Sequence, residues 1–166
     1  MLFELESVFN NEGFSLPVCF DVDFSQVQIS GVCPFTTPVR VIGNVYNRAE
    51  VVHFDAEAEF TVEIPCDRCL TQLKRDFCIP INHVLVTQLN DEENDELILI
   101  DSYSYDFEPL VSEDVFLNLP SLFLCKEDCK GLCADCGKNL NDGPCSCEKP
   151  IDPRLEALKQ LLDSDN

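Results

Sequence analysis

The stretch VVHFDAEAEFTVEI, residues 51–64, decides what kind of fold this chain can adopt. Val52, Phe54, Ala56, Ala58, Phe60, Val62 and Ile64 share one parity, and His53, Asp55, Glu57, Glu59, Thr61 and Glu63 share the other. A period of two puts every apolar side chain on one face of an extended strand, whereas a helical period would scatter them around an axis. The segment therefore reads as a long β-strand with a dry face and a wet face. His53 falls on the wet face, where a solvated surface residue accounts for it better than a ligand or a base does.

Working outward, Asn47-Arg48-Ala49-Glu50 reads as a turn back to a strand at 37–46, TPVRVIGNVY, in which Gly43 marks a bulge or a close crossing. Earlier still, Val18, Phe20, Val22 and Phe24 alternate with Cys19, Asp21 and Asp23, a shorter strand approached through Pro17. Residues 26–33, QVQISGVC, alternate again at Val27 and Ile29 and are expected to form another strand, stopped by Pro34. Beyond the central strand, Cys66 and Cys69 sit at a hairpin tip, because residues 77–87, FCIPINHVLVT, again read as β. The run NDEENDE at 90–96 holds no apolar side chain and reads as a solvated loop. Leu97–Ile100 reads as a further strand, with Tyr103 and Tyr105 continuing it after a break at Asp101-Ser102. Ser112 is expected to cap a helix, with Glu113 and Asp114 in its first turn, Val111, Val115 and Leu119 on one face and Pro120 at its end. Asp152-Pro153 has the form of a second helix start, and Leu155, Leu158, Leu161 and Leu162 make an apolar stripe that docks on this chain by default.

Six of the 11 cysteines fall between Cys125 and Cys147, in CKEDCKGLCADCGKNLNDGPCSC. They are Cys125, Cys129, Cys133, Cys136, Cys145 and Cys147. A turn of the form G-L-C-x-x-C-G lets backbone amides wrap one sulfur while both thiolates reach one metal, and the glycine after the second cysteine tolerates the left-handed backbone of such a knuckle. A turn at Asp142-Gly143 then brings Cys145 and Cys147 back as a closing pair. The stretch reads as a Zn²⁺ site using four of the six thiols, with the choice of four left open. Cys66 and Cys69 have three readings: thiols structural to a turn, ligands lent to the C-terminal cluster, or half of a metal site shared with a partner chain. A redox C-x-x-C is expected at a strand-to-helix junction, and this one lies between strands. Cys19, Cys33 and Cys78 fit no motif and are expected to be buried as small hydrophobes.

With 166 residues, 45% hydrophobic and 12 phenylalanines, the chain can support one β-rich domain with an appendage. Its opening residues carry no basic, apolar leader, and no stretch reaches the length of a membrane span. Grouped cysteines without a leader point to a reducing cytoplasm and to metal rather than disulfides. The net charge of −20 argues against a direct, non-specific grip on nucleic acid. Residues 1–124 carry 22 acidic and 5 basic side chains, a net −17, and residues 125–166 carry 9 and 6, a net −3. No phosphate-binding glycine loop is present, the two histidines are remote from any nucleophile signature, and all-cysteine ligation suits a closed structural site. No enzymatic activity is expected.

At this point the residues resemble a known family. EIPCDRCL at 63–70, Leu119-Pro120 ahead of Cys125, CKGLCADCGKNLN and the Asp152-Pro153-Arg154 helix start together resemble the YceD family, the large-subunit ribosomal RNA accumulation proteins. The resemblance implies a bacterial cytosolic protein, without catalytic activity, needed for normal accumulation of that RNA. It maps the family's C-terminal cysteines onto Cys125, Cys129, Cys133 and Cys136, its final C-x-C onto Cys145 and Cys147, and its C-x-x-C onto Cys66 and Cys69.

The expected fold is α+β: an antiparallel β-rich body over 1–120, open or partly closed into a barrel, with a covering helix and few other helices, then a zinc-binding segment and short helix over 121–166. The expected function is a non-enzymatic factor in ribosome biogenesis. Its partner would be a basic ribosomal protein or an RNA-processing factor, and any weak direct RNA contact would use Lys126, Lys130, Lys138 and Lys149. Membrane binding is not expected, and a homodimer through a strand edge is an option. The rival readings are a thiol redox sensor using Cys66 and Cys69, four-cysteine iron–sulfur ligation, and a zinc-stabilised interaction module unrelated to RNA.

Overall fold

The computed structural model describes residues 1–88 and 97–147. The expected loop at 90–96 and the expected helix with its leucine stripe at 152–162 lie outside the described residues. The chain divides into two compact units: Met1–Cys66 with Thr71–Phe123, and Asp67–Leu70 with the chain from Leu124 onward.

In the first unit the elements run β1 (Leu2–Glu4), α1 (Glu6–Asn10), β2 (Ser15–Val22), β3 (Val39–Arg48), β4 (Val51–Pro65), β5 (Gln72–Val86), β6 (Leu97–Leu99), β7 (Ser104–Asp106) and α2 (Glu108–Asn118). A five-stranded sheet has the order β2-β3-β4-β5-β6, and β1 pairs with β7 in a separate two-stranded sheet. The pairs from β2 to β5 are antiparallel, while β6 lies parallel to β5, with Val84 opposite Leu97, so this edge departs from the antiparallel expectation.

The alternation of β4 is realised residue by residue. Val52, Phe54, Ala56, Ala58, Phe60, Val62 and Ile64 are all buried. They join Val18, Phe20 and Val22 of β2, Val39, Val41 and Val45 of β3, and Ile79, Ile81 and Leu85 of β5 in one core. Side chains of about this size each gain roughly 1.5–3 kcal/mol on full burial, which is why the register is held: a one-residue slip would expose the whole set. Gly43 faces Ala56 across the β3–β4 pair. A Cβ there would collide with the Asp55 carbonyl and the Ala56 methyl, so the close crossing is real. The β3–β4 turn uses Ala49 and Glu50 at φ of 53° and 66°, the left-handed pair that a two-residue hairpin demands.

The sheet does not close into a barrel, since among the described residues β2 and β6 remain its two ends. Its dry face is covered by other elements instead. Phe107 stacks on Phe54 with ring centroids 4.1 Å apart, and Phe116 of α2 stacks on Phe24 at 5.4 Å. With Leu110, Val111 and Val115 of α2 also in the core, the far strands have no need to meet. His83 of β5 meets the Asp114 carboxylate of α2 at 2.7 Å, and Asn47 of β3 donates to the carbonyls of Val8 and Phe9 in α1.

Three sequence expectations give way. Residues 26–33 form no strand. Ser30 and Gly31 take φ of 52° and 81°, and Ile29 and Val32 exchange backbone hydrogen bonds across them, so the alternation belongs to the flanks of a tight turn. The helix begins at Glu108, not at Ser112. The Asp106 carboxylate accepts from the Glu108 N–H, and the Ser112 hydroxyl donates back to the Glu108 carbonyl within the helix. Cys19, Cys33 and Cys78 are exposed, not buried. Cys19 and Cys78 occupy the wet parity of β2 and β5, and that parity outweighs the usual preference of a thiol for the interior. Among the described residues no helix is long and apolar enough to cross a membrane.

Candidate metal centre

The second unit is assembled on cysteines. The turn Cys66–Thr71 between β4 and β5 is closed by the Cys66 N–H donating to the Thr71 carbonyl at 2.8 Å, with Leu70 in the left-handed region at φ 58°. Within this turn Arg68 is the organiser. Its guanidinium donates to the Cys129 carbonyl at 2.9 Å, and its own carbonyl accepts from the Leu132 N–H at 3.1 Å. Gly131 takes φ 73° directly against that carbonyl, which an added Cβ would approach to 3.0 Å. The chain then makes a small hairpin: Leu132 bridges Asn139, and the Cys133 N–H donates to the Lys138 carbonyl at 2.9 Å. Gly137 supplies the left-handed residue after Cys136, at φ 71°. A single 3₁₀ turn at Leu140–Asp142 and Gly143 lead to the return pair.

Eight thiols fall into two sets of four. Cys66, Cys69, Cys125 and Cys129 form one, Cys133, Cys136, Cys145 and Cys147 the other, and within each set the sulfurs lie within 4.8 Å of one another. Cys69 and Cys125 sulfurs are 3.5 Å apart, and those of Cys133 and Cys145 are 3.4 Å apart. A tetrahedral metal with sulfur at about 2.3 Å separates its ligands by about 3.8 Å, so both sets have the donors and the spacing for a four-coordinate thiophilic ion. The spacing points to four ligands among the six C-terminal cysteines, with Cys66 and Cys69 lent to that cluster as one of three readings. The structure divides those six two and four, and groups Cys66 and Cys69 with the first pair. A third grouping, Glu57, Glu59 and Cys78, is exposed on the wet face, where acidic groups are ordinary without an ion.

The thiols are prepared for ionisation unequally. The N–H groups of Cys136 and Asp135 are directed at the Cys133 sulfur and bring that thiol down to about 7. The Asn141 amide donates to the Cys129 sulfur at 3.3 Å and, with the Gly131 N–H, lowers the Cys129 thiol as well. Cys147 moves the other way, pushed up to about 12 by the neighbouring Cys136 sulfur, by burial and by Cys133. Four thiolates this close repel one another, and a divalent ion is what would let all four ionise.

Asn141 is a functional residue that the sequence reading missed. Its amide donates to Cys129 of the first set and its carbonyl oxygen accepts from the Lys130 N–H at 3.0 Å, while its own position lies in the loop between Cys136 and Cys145 of the second set. Asparagines in a turn-rich stretch carry no signal of such a contact, because turn chemistry alone explains them.

Fold and site together define a β-sheet protein with a second unit rich in cysteines, whose thiols fall into sets with metal-ligand spacing. The chain matches the family model described as large ribosomal RNA subunit accumulation protein YceD over residues 54–162, and it belongs to that family. Among its relatives, uncharacterized protein YlbN of Bacillus subtilis (strain 168) is 29% identical over 133 residues, which are 78% of this chain and 77% of the relative. Uncharacterized protein ML1660 of Mycobacterium leprae (strain TN) is 30% identical over 131 residues, 74% of this chain and 60% of the relative. Uncharacterized protein Rv2926c of Mycobacterium tuberculosis (strain ATCC 25618 / H37Rv) is 31% identical over 101 residues, 58% of this chain and 49% of the relative, so the matched region is only about half to three-fifths of these mycobacterial chains. No solved structure matches.

Proposed function

We propose that this chain is a non-enzymatic, zinc-binding factor in the accumulation of large-subunit ribosomal RNA, working in the cytoplasm by binding a basic ribosomal protein or processing factor. Membership of the YceD family over residues 54–162 carries the reading. Two sets of four thiols support Zn²⁺, because a closed all-sulfur site fixes a fold and leaves no open position for chemistry. When bound, the ion would replace the repulsion among four thiolates with a cross-link. The residues themselves supply the turns, the N–H groups aimed at sulfur and the Arg68 clasp.

A basic partner is supported by the wet face of the sheet. Glu57 and Glu59 are exposed on β4, beside a Glu63 already paired with Lys74 at 2.7 Å, within a chain of net charge −20. Such a face attracts a cationic surface and repels phosphate. Direct RNA contact would be secondary and confined to the lysines around the cysteines, Lys126, Lys130 and Lys138.

The test is genetic and biochemical. Cells lacking the protein should show a fall in large-subunit relative to small-subunit ribosomal RNA, restored by the wild-type gene and not by one carrying Cys66→Ser and Cys69→Ser. Purified protein should bind isolated basic large-subunit proteins in a salt-sensitive way, weakened by Glu57→Lys with Glu59→Lys. An unchanged RNA ratio, or binding to naked ribosomal RNA but to no basic protein, would overturn the reading.

A further inference from the structure

We propose that the chain carries two separate four-thiolate metal centres, and that the one built from Cys133, Cys136, Cys145 and Cys147 is the exchangeable one. This rests on the metal reading above and deepens it.

The two sets share no residue. A binuclear cluster with bridging sulfurs would place at least one thiol in both sets, so two mononuclear centres fit the geometry better. Their surroundings differ. In the first set Cys66, Cys69 and Cys129 are 0%, 5% and 3% exposed and Cys125 is half-buried. In the second only Cys133 is buried, while Cys136 is exposed and Cys145 and Cys147 are half-buried. A cavity of about 530 Å³ opens on the second set, with Cys133, Cys145 and Cys147 on its wall beside Leu132, Leu140 and Lys130. Metal exchange at a filled thiolate site is associative: a new sulfur or nitrogen bonds to the metal as a cysteine sulfur leaves, with no change of oxidation state. The incoming group needs a path to the metal, and among the described residues the second set has a cavity that supplies one. Lys130 and Asp135 both stand on the wall, so the lining charges balance and access rather than charge admits a thiol or a chelator.

The reach of the two sites along the chain points the same way. All four thiols of the second set lie in one short segment, Cys133 to Cys147, so one local loop opening frees them. The first set joins segments distant in sequence, with Cys69 and Cys125 separated by 56 positions, and Arg68, outside the 133–147 loop, braces it. Losing that metal requires the unit to come apart. The second centre can therefore trade its metal with the cellular thiol pool, or hand it to another protein, while the first keeps the unit folded.

The experiment uses the full-length chain purified with its metal. Zinc and iron are counted per chain, an excess of a chromogenic chelator is added, and release is followed in time. Samples taken during release are alkylated with N-ethylmaleimide and mapped by mass spectrometry. The expected result is two zinc ions per chain, one leaving in a fast phase and one in a slow phase. Cys133, Cys136, Cys145 and Cys147 should be labelled in step with the fast one. Cys136→Ser should lose the fast-leaving ion and keep the slow one. A single ion per chain, joint release in one phase, or early labelling of Cys66, Cys69, Cys125 and Cys129 would each overturn the inference while leaving the metal reading intact. No metal on the chain would overturn both.

Discussion

At the scale of single residues, the second unit depends on groups that are not cysteines. Asn141 holds the Cys129 sulfur from one side and the Lys130 N–H from the other. Hydrogen bonds from outside a metal's ligand shell orient the ligands, and losing one typically weakens metal binding by about 10–100-fold. With a metal held by Cys66, Cys69, Cys125 and Cys129 as proposed, Asn141→Ala should weaken its binding by that order, measured by competition with a chelator of known affinity, and leave the β-sheet signal in circular dichroism unchanged. Gly131 is held at φ 73° with the Arg68 carbonyl against the place a Cβ would take. Gly131→Ala should cost about 1–2 kcal/mol, the usual penalty of a left-handed backbone for an L-residue, with crowding in addition. Chelator sensitivity at rising urea concentration would measure it, and an alanine variant as resistant as the parent would contradict the geometry.

At the scale of elements, the start of α2 shows how one carboxylate replaces a predicted cap. The Glu108 N–H donates to Asp106 and holds that carboxyl below its ordinary value of 3.8. A value depressed in the folded state means that the contribution is fully present above the ordinary carboxylate range. It is lost as the pH falls through the folded-state value. Asp106→Ala should cost about 1 kcal/mol at neutral pH, as for other helix-start carboxylates, and nothing once the wild-type carboxyl is protonated. Urea midpoints of both proteins at neutral pH and in acid would reveal the convergence. Ser112 misled because Ser-Glu-Asp has the composition of a helix start, whereas its hydroxyl can equally bond one turn back inside a helix. Residues 26–33 misled for a related reason: alternation over so few residues cannot separate a strand from the two arms of a tight turn, and Ser-Gly at the centre favoured the turn.

At the scale of the whole molecule, the two units have different sources of stability. The first buries Phe54, Phe107, Ile64, Ile81 and a row of valines in one apolar core. The described part of the second buries chiefly cysteines, among them Cys69, Cys129 and Cys133. The described part of that unit is poor in large apolar side chains, and a metal held by its thiols, as proposed, would contribute folding free energy. Strong chelation should consequently unfold the second unit while the first keeps its sheet. Amide hydrogen exchange would show protection lost over 124–147 and retained in β3, β4 and β5. Equal loss in both would mean that the metals support the sheet as well.

The long strand at 51–64, its partners at 37–46 and 77–87, and the grouping of cysteines into metal-ligand spacings were set by the sequence alone. Period-two alternation and short-range turn chemistry are local properties, and local properties survive without knowledge of the fold. Two outcomes needed the tertiary structure. One was the open sheet, closed over by α2 and Phe107 instead of by its own far strands. The other was the division of eight thiols into Cys66, Cys69, Cys125 and Cys129 on one side and Cys133, Cys136, Cys145 and Cys147 on the other. Spacing limits which neighbours can share a metal, but it says nothing about which distant segment arrives to complete a set. Here that choice was made by Arg68 reaching Cys129 and by the approach of Gly131 to the Arg68 carbonyl, contacts between stretches some 60 residues apart that only the folded chain brings together.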